Sequence, residues 1–117
     1  MQATQILKVT AAQLQKFGQQ NGLDVALLED IIGNNADALG YMLLAYYPRE
    51  KVSGVAMISR TAQLLEDGAV NFKLQYIKEE FNSCSAVNTE AGDTMTVTLR
   101  RTGEAGIILI AENWAEL

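Results

Sequence analysis

The spacing of hydrophobic and polar positions changes near the middle of the chain, at Pro48, its only proline. Before Pro48, apolar residues recur every three or four positions among Ala, Leu and Gln. After it, Val, Ile, Thr, Phe and Tyr become frequent and apolar residues alternate with polar ones. The first spacing belongs to amphipathic helices and the second to strands with one buried face. A helical part over about residues 1–47 and a sheet part over about 52–114 are therefore predicted, within a single domain, 1–117.

Three short helices are expected in the first part. Thr10 followed by Gln13 has the form of a capping box, with Leu14 and Phe17 turned inward. Leu7, Ala11, Leu14 and Phe17 share a helical face, so residues 4–9 are read as a backward extension of this helix. The competing reading is a short strand, because Ile6 and Val9 flank a polar Lys8. Asn21-Gly22 suits the end of the helix. Asp24 is a good N-cap for the second helix, in which Leu28, Ile31 and Ile32 cluster. The third starts near Asn35 and must stop by Tyr47, because a residue before proline is pushed out of helical geometry. It is apolar nearly all round. Leu39, Met42, Leu43 and Tyr46 share one face, and Tyr41, Leu44 and Ala45 another, with Tyr47 near the end.

Two hairpins are expected in the second part. Glu66-Asp67-Gly68 suits a three-residue loop closed by a left-handed glycine. That loop pairs Leu65 with Ala69 and sets Leu64, Ala62, Arg60 and Ile58 opposite Val70, Phe72, Leu74 and Tyr76. A slip of one residue would expose the whole apolar row. The alternative for residues 50–66 is a fourth helix. The second hairpin joins Thr94–Arg101, with Met95, Val97 and Leu99 on one face, to a return strand at Ile107–Ala111. The return strand is apolar on both faces, so it is either central in a covered sheet or in contact with something else. Residues 82–93, NSCSAVNTEAGD, read as a long polar loop.

The composition narrows the range of functions. The net charge of −5 is spread along the chain without a basic cluster, so nucleic-acid binding is not expected. No apolar run approaches the roughly 20 residues of a membrane helix, and the N-terminal residues lack the form of a signal peptide. The single cysteine, Cys84, has no partner for an intrachain disulfide and suits a reducing, cytoplasmic or otherwise intracellular compartment. There is no histidine, which removes imidazole-assisted nucleophiles and His-based acid–base chemistry. The glycines form no phosphate-binding motif. Glu79-Glu80 and Glu66-Asp67 are better explained as strand and turn residues than as a catalytic pair.

The expected architecture is α+β: three short N-terminal helices packed on one face of a mostly antiparallel four-stranded sheet made of two hairpins. No catalytic, cofactor-binding or metal-binding residues and no cofactor are expected. The expected function is a non-enzymatic protein–protein interaction protein, either an adaptor, an inhibitor or a structural accessory. Its partner is another protein or its own copies. Small size and missing motifs are compatible with origin in a phage or mobile element. Candidate interaction residues are Tyr41, Leu44, Tyr47, Trp114, Ile108 and Ile110, because tyrosine, tryptophan and doubly apolar strands suit interfaces. The alternative is a small apolar-ligand binder or modest enzyme, with Tyr46, Phe72 and Tyr76 lining a pocket between helices and sheet.

Overall fold

The computed structural model describes residues 1–18, 23–82, 87–103 and 106–115, with backbone alone at 81, 82 and 87–89. The element order is β1 (Gln2–Leu7), α1 (Ala11–Gly18), α2 (Val25–Asn34), α3 (Ala36–Leu43), β2 (Lys51–Leu64), β3 (Val70–Asn82), β4 (Val87–Thr102) and β5 (Gly106–Asn113). The fold is α+β with a five-stranded sheet in the order β1-β5-β4-β3-β2, and every pairing is antiparallel.

The helix starts follow local chemistry. The Thr10 hydroxyl accepts from the Gln13 N–H at 3.0 Å and the Gln13 side chain accepts from the Thr10 N–H at 2.9 Å, which completes the capping box. Asp24 accepts from the Leu27 N–H at 3.1 Å at the start of α2. Asn21 and Gly22 lie outside the described residues. The helix α3 gives way after Leu43 to a tight turn, in which the Tyr46 N–H donates to the Leu43 carbonyl at 2.9 Å.

Residues 2–7 correct the helical reading of the N-terminus. They form an edge strand, the fifth strand of a sheet expected to have four. Leu7 is buried while Gln2, Thr4 and Ile6 are exposed, the alternation of a strand. Pairing with β5, about a hundred residues away in sequence, outweighs the local helical spacing.

The expected long loop at 82–93 is also corrected. Residues 87–93 belong to β4 and pair with 76–82 of β3, so the hairpin runs out to Asn82 opposite Val87. Its polar residues conceal the strand because the pairing of β2 ends earlier, at Lys51 opposite Glu79, leaving a two-stranded ribbon beyond it. Cys84 lies outside the described residues.

Residues 51–64 are strand. At the Glu66–Gly68 loop the Leu65 N–H donates to the Ala69 carbonyl at 2.7 Å, and Gly68 has φ +86°. Leu64 lies opposite Val70 as expected, but the register then departs. Ile58 faces Lys73 and Met57 faces Leu74, where Ile58–Tyr76 and Arg60–Leu74 were expected. The strand β2 is irregular between Ile58 and Gln63, and the Thr61 hydroxyl accepts from the Lys73 N–H at 2.8 Å while donating to the Ile58 carbonyl at 2.6 Å. This detour turns Val55 and Met57 into the core and leaves Ile58 half-buried.

The three described helices pack on one face of the sheet. Phe17, Leu28, Ile31, Leu39 and Leu43 meet Val70, Phe72, Leu74, Met95, Val97, Leu99, Ile107 and Leu109 in one apolar core. Area removed from water on this scale, at about 25 cal/mol per Å², is the dominant force holding the layers together.

Candidate functional site

The five strands present a second face on the side away from the helices. The register places Thr4, Ile110, Thr98 and Asn71 in one row across β1, β5, β4 and β3. A neighbouring row runs Ile6, Ile108 and Arg100. Ile6 is 56% exposed, while Ile108 and Ile110 are half-buried between their neighbours. The two apolar sides of β5 are thereby separated. Ile107, Leu109 and Ala111 enter the core, whereas Ile108 and Ile110 join Ile6 in an isoleucine strip on the outer face.

Ile6 was missed in the sequence because its segment was read as helix. The available signal was the competing strand reading of this segment, in which Ile6 and Val9 flank a polar Lys8. Arg100 flanks the strip and forms an ion pair with Asp67. This guanidinium, together with the Ala69 N–H, holds the Asp67 carboxyl below its ordinary range.

The tyrosines divide between surface and core. Tyr41 is 79% exposed. With Leu44, Gly40, Pro48, Val52 and Val55 it lines an open groove of about 690 Å³ between α3 and the start of β2. Tyr47, placed by sequence at the end of the helix's outer face, is instead buried, because the turn after Leu43 swings it inward. Trp114 is half-buried and stacks edge-on against Tyr46 at 4.8 Å and Tyr47 at 5.5 Å. Its indole N–H donates to Glu112 Oε1 at 3.0 Å. Four of the six candidate interaction residues thus fall into two separate surfaces, Ile108 with Ile110 and Tyr41 with Leu44. Tyr47 and Trp114 pack against each other within the chain.

Tyr46, Phe72 and Tyr76 are all buried in the apolar core. The Tyr46 hydroxyl accepts from the Ala3 N–H at 2.8 Å and donates to the Glu112 carbonyl at 2.7 Å. The Tyr76 hydroxyl is 2.7 Å from that of Tyr47, which also donates to Asp93 at 3.3 Å. Lys78 Nζ completes the cluster, 3.2 Å from Asp93 and 4.6 Å above the Tyr47 ring. A cation over a ring face is attracted to the aromatic quadrupole.

Burial is the main cause that raises the Tyr76 and Tyr47 hydroxyls above the ordinary tyrosine range, with Asp93 contributing in the same direction. Asp93 is lowered, first by the Thr94 N–H at 2.8 Å and then by Lys78, against an opposing effect of burial. Lys78 is raised, chiefly by Asp93.

A raised folded-state pKa contributes stability that is fully present below the unfolded pKa and lost as pH rises through the folded one. The tyrosine pair therefore makes no change in stability at neutral pH and destabilises the fold as pH climbs above about 10. Ultraviolet difference titration is expected to show Tyr47 and Tyr76 ionising only together with alkaline unfolding. Ionisation of all four tyrosines in a chain that remains folded would contradict this assignment.

Among the described residues no group of three or more Cys, Asp or Glu is placed to hold a metal ion. No described helix is long and apolar enough to cross a membrane. Comparison with family models, with curated proteins and with solved structures returns no match to this chain.

Proposed function

We propose that the protein is a non-enzymatic protein–protein interaction protein that self-associates through the β1–β5 side of its sheet, where an isoleucine strip lies. The observation that carries this reading is the isoleucine strip. Ile6, Ile108 and Ile110 lie side by side on a sheet face that none of the three helices covers. Isoleucine is favoured in strands, but water-facing positions of one-sided antiparallel sheets are ordinarily polar. On the same face Asn71, Lys73, Gln75, Thr96 and Thr98 are polar and separate the strip from Ile58 and Ile77, which lie toward the opposite edge at β2 and β3. The missing histidine supports the non-enzymatic part of the reading.

The test is the solution mass of the full chain by light scattering across a concentration series, for the wild type and for Ile108→Thr and Ile110→Thr. Threonine preserves the branched shape that strands favour while removing apolar area. Wild-type chains are expected to exceed the monomer mass. Each substitution is expected to weaken association by up to about tenfold, or about 1.4 kcal/mol, because Ile108 and Ile110 are already half-buried in the single chain and threonine removes only part of their apolar area. A wild-type chain that stays monomeric at the highest concentration would overturn the reading.

A further inference from the structure

The two edges of the sheet differ in a way that identifies how copies of this chain would meet. The edge strand β2 is protected. It carries Lys51 and Arg60, is bulged between Ser53 and Ala56 where Gly54 has φ +63°, and is irregular again between Ile58 and Gln63. Charges and bulges of this kind are how edge strands avoid pairing with other chains. The edge strand β1, QATQIL, has no charged residue and no proline. The irregularity where it meets β5 places the extra residue on β5, between Ile110 and Asn113, so β1 itself runs on unbroken.

The backbone of β1 also shows which of its groups point outward. The Lys8 N–H and carbonyl are both turned to the side chain of Asn35, at 2.7 and 2.9 Å, and away from β5. In an antiparallel pair, alternate residues direct both their backbone groups to the same side. Ile6 and Thr4 therefore direct theirs outward with Lys8, while Leu7 and Gln5 direct theirs to β5. In agreement, the Ile6 carbonyl accepts a local bond from the Gln5 side chain at 3.0 Å. Ala3, on the inward phase, gives its N–H to Tyr46.

Resting on the self-association proposed above, we infer that β1 pairs antiparallel with β1 of a second copy about a two-fold axis, joining two sheets into one of ten strands. Homotypic contact sets each residue against a residue of the same strand. In a chain of net charge −5, an uncharged strand is the element that meets its own copy without repulsion. The outward phase then selects the register. Thr4 faces Thr4 of the second copy and Gln2 faces Ile6. The next register along would pair Gln2 with Lys8, whose backbone groups are already held by Asn35. Pairing at Thr4 brings the Ile6, Ile108 and Ile110 strips of both copies onto one face around the axis.

The experiment compares the wild type with Thr4→Pro, Ile6→Lys, and a Thr4→Cys chain in which Cys84 is replaced by serine. Proline removes an outward N–H and leaves the β5 ladder intact, and lysine supplies the missing edge charge. Directly opposed, hydrogen-bonded residues have Cα atoms about 5.5 Å apart, within the range a disulfide spans. Sedimentation is expected to show a wild-type dimer, with association of Thr4→Pro and Ile6→Lys weakened at least about tenfold and their melting transitions matching the wild type's at concentrations where all three are monomeric. Thr4→Cys is expected to give a disulfide-linked dimer on mild oxidation.

Undiminished dimerisation of the proline and lysine variants, with no disulfide at position 4, would overturn the β1 pairing and leave self-association standing. A monomeric wild type without cross-linking would overturn both. If Thr4→Pro fails to fold, the lysine variant and the cysteine cross-link decide the outcome.

Discussion

Asn35→Ala is expected to lower the stability of the fold by about 3 kcal/mol, read as a shift of the urea midpoint at unchanged slope. Asn35 is only 4% exposed and makes three hydrogen bonds. Its carbonyl oxygen accepts from the Lys8 N–H at 2.7 Å. Its amide donates to the Lys8 carbonyl at 2.9 Å and to the Ile31 carbonyl at 2.8 Å. The side chain thus closes the end of β1 and joins it to the last turn of α2, and at the N-cap position of α3 it makes no capping bond to that helix. Alanine leaves all three backbone groups without this partner, and each such loss costs about 1–3 kcal/mol where water cannot enter. Asn35→Asp is expected to do no better. It retains an acceptor for Lys8 but loses both donated bonds and introduces a charge where burial disfavours it. A loss below about 1 kcal/mol in Asn35→Ala would show that water replaces the amide at little cost.

Tyr46→Phe is expected to cost about 2 kcal/mol through a single hydroxyl. At the irregular join of β1 and β5, the Glu112 carbonyl accepts from the Tyr46 hydroxyl and the Ala111 carbonyl accepts from the Gln2 side chain at 3.0 Å. The Glu112 carboxylate meanwhile accepts from the Thr96 N–H at 2.6 Å. Tyr46 therefore supplies a donor and an acceptor where the extra residue of β5 breaks the ladder. Phenylalanine preserves the ring contact with Trp114 but leaves the Ala3 N–H and Glu112 carbonyl unmatched. Thermal melting measures the global loss. Faster hydrogen exchange at Ala3, without matching acceleration at the central Leu74 or Val97, would locate it at this join. An unchanged Ala3 amide would refute the assignment.

The buried tyrosines show what local pattern does and does not carry. An apolar helix ending in Tyr-Tyr-Pro signals burial on more than one side, and Tyr46 and Tyr47 are both buried. That signal is silent on where each ring points. The turn after Leu43 takes Tyr47 to Tyr76 and Asp93, while Tyr41, within α3 itself, stays in water. The isoleucines behave alike. Alternation cannot say which side of β5 faces the helices, because both sides are apolar. Only the pairing with β4, whose Met95, Val97 and Leu99 are buried, assigns Ile107 and Leu109 to the core.

Local pattern was enough for the α+β class, the capping box of α1, the start of α2, the loop at Glu66–Gly68 and the buried face of β4. Each rests on interactions within a few residues or on the period of one segment: a capping box, an aspartate cap, a glycine with positive φ, a strict alternation. Long-range pairing makes residues 2–7 a strand, takes β4 back to Val87, shifts the register of β2 between Ile58 and Gln63, and brings Ile6 beside Ile108 and Ile110. These depend on partners far away in sequence, and a short segment takes the conformation its partner completes. The β1 strand is the clearest case. Its own spacing permits a helix, but a strand lets Leu7 enter the core, Ala3 bond to Tyr46 and Lys8 bond to Asn35 together.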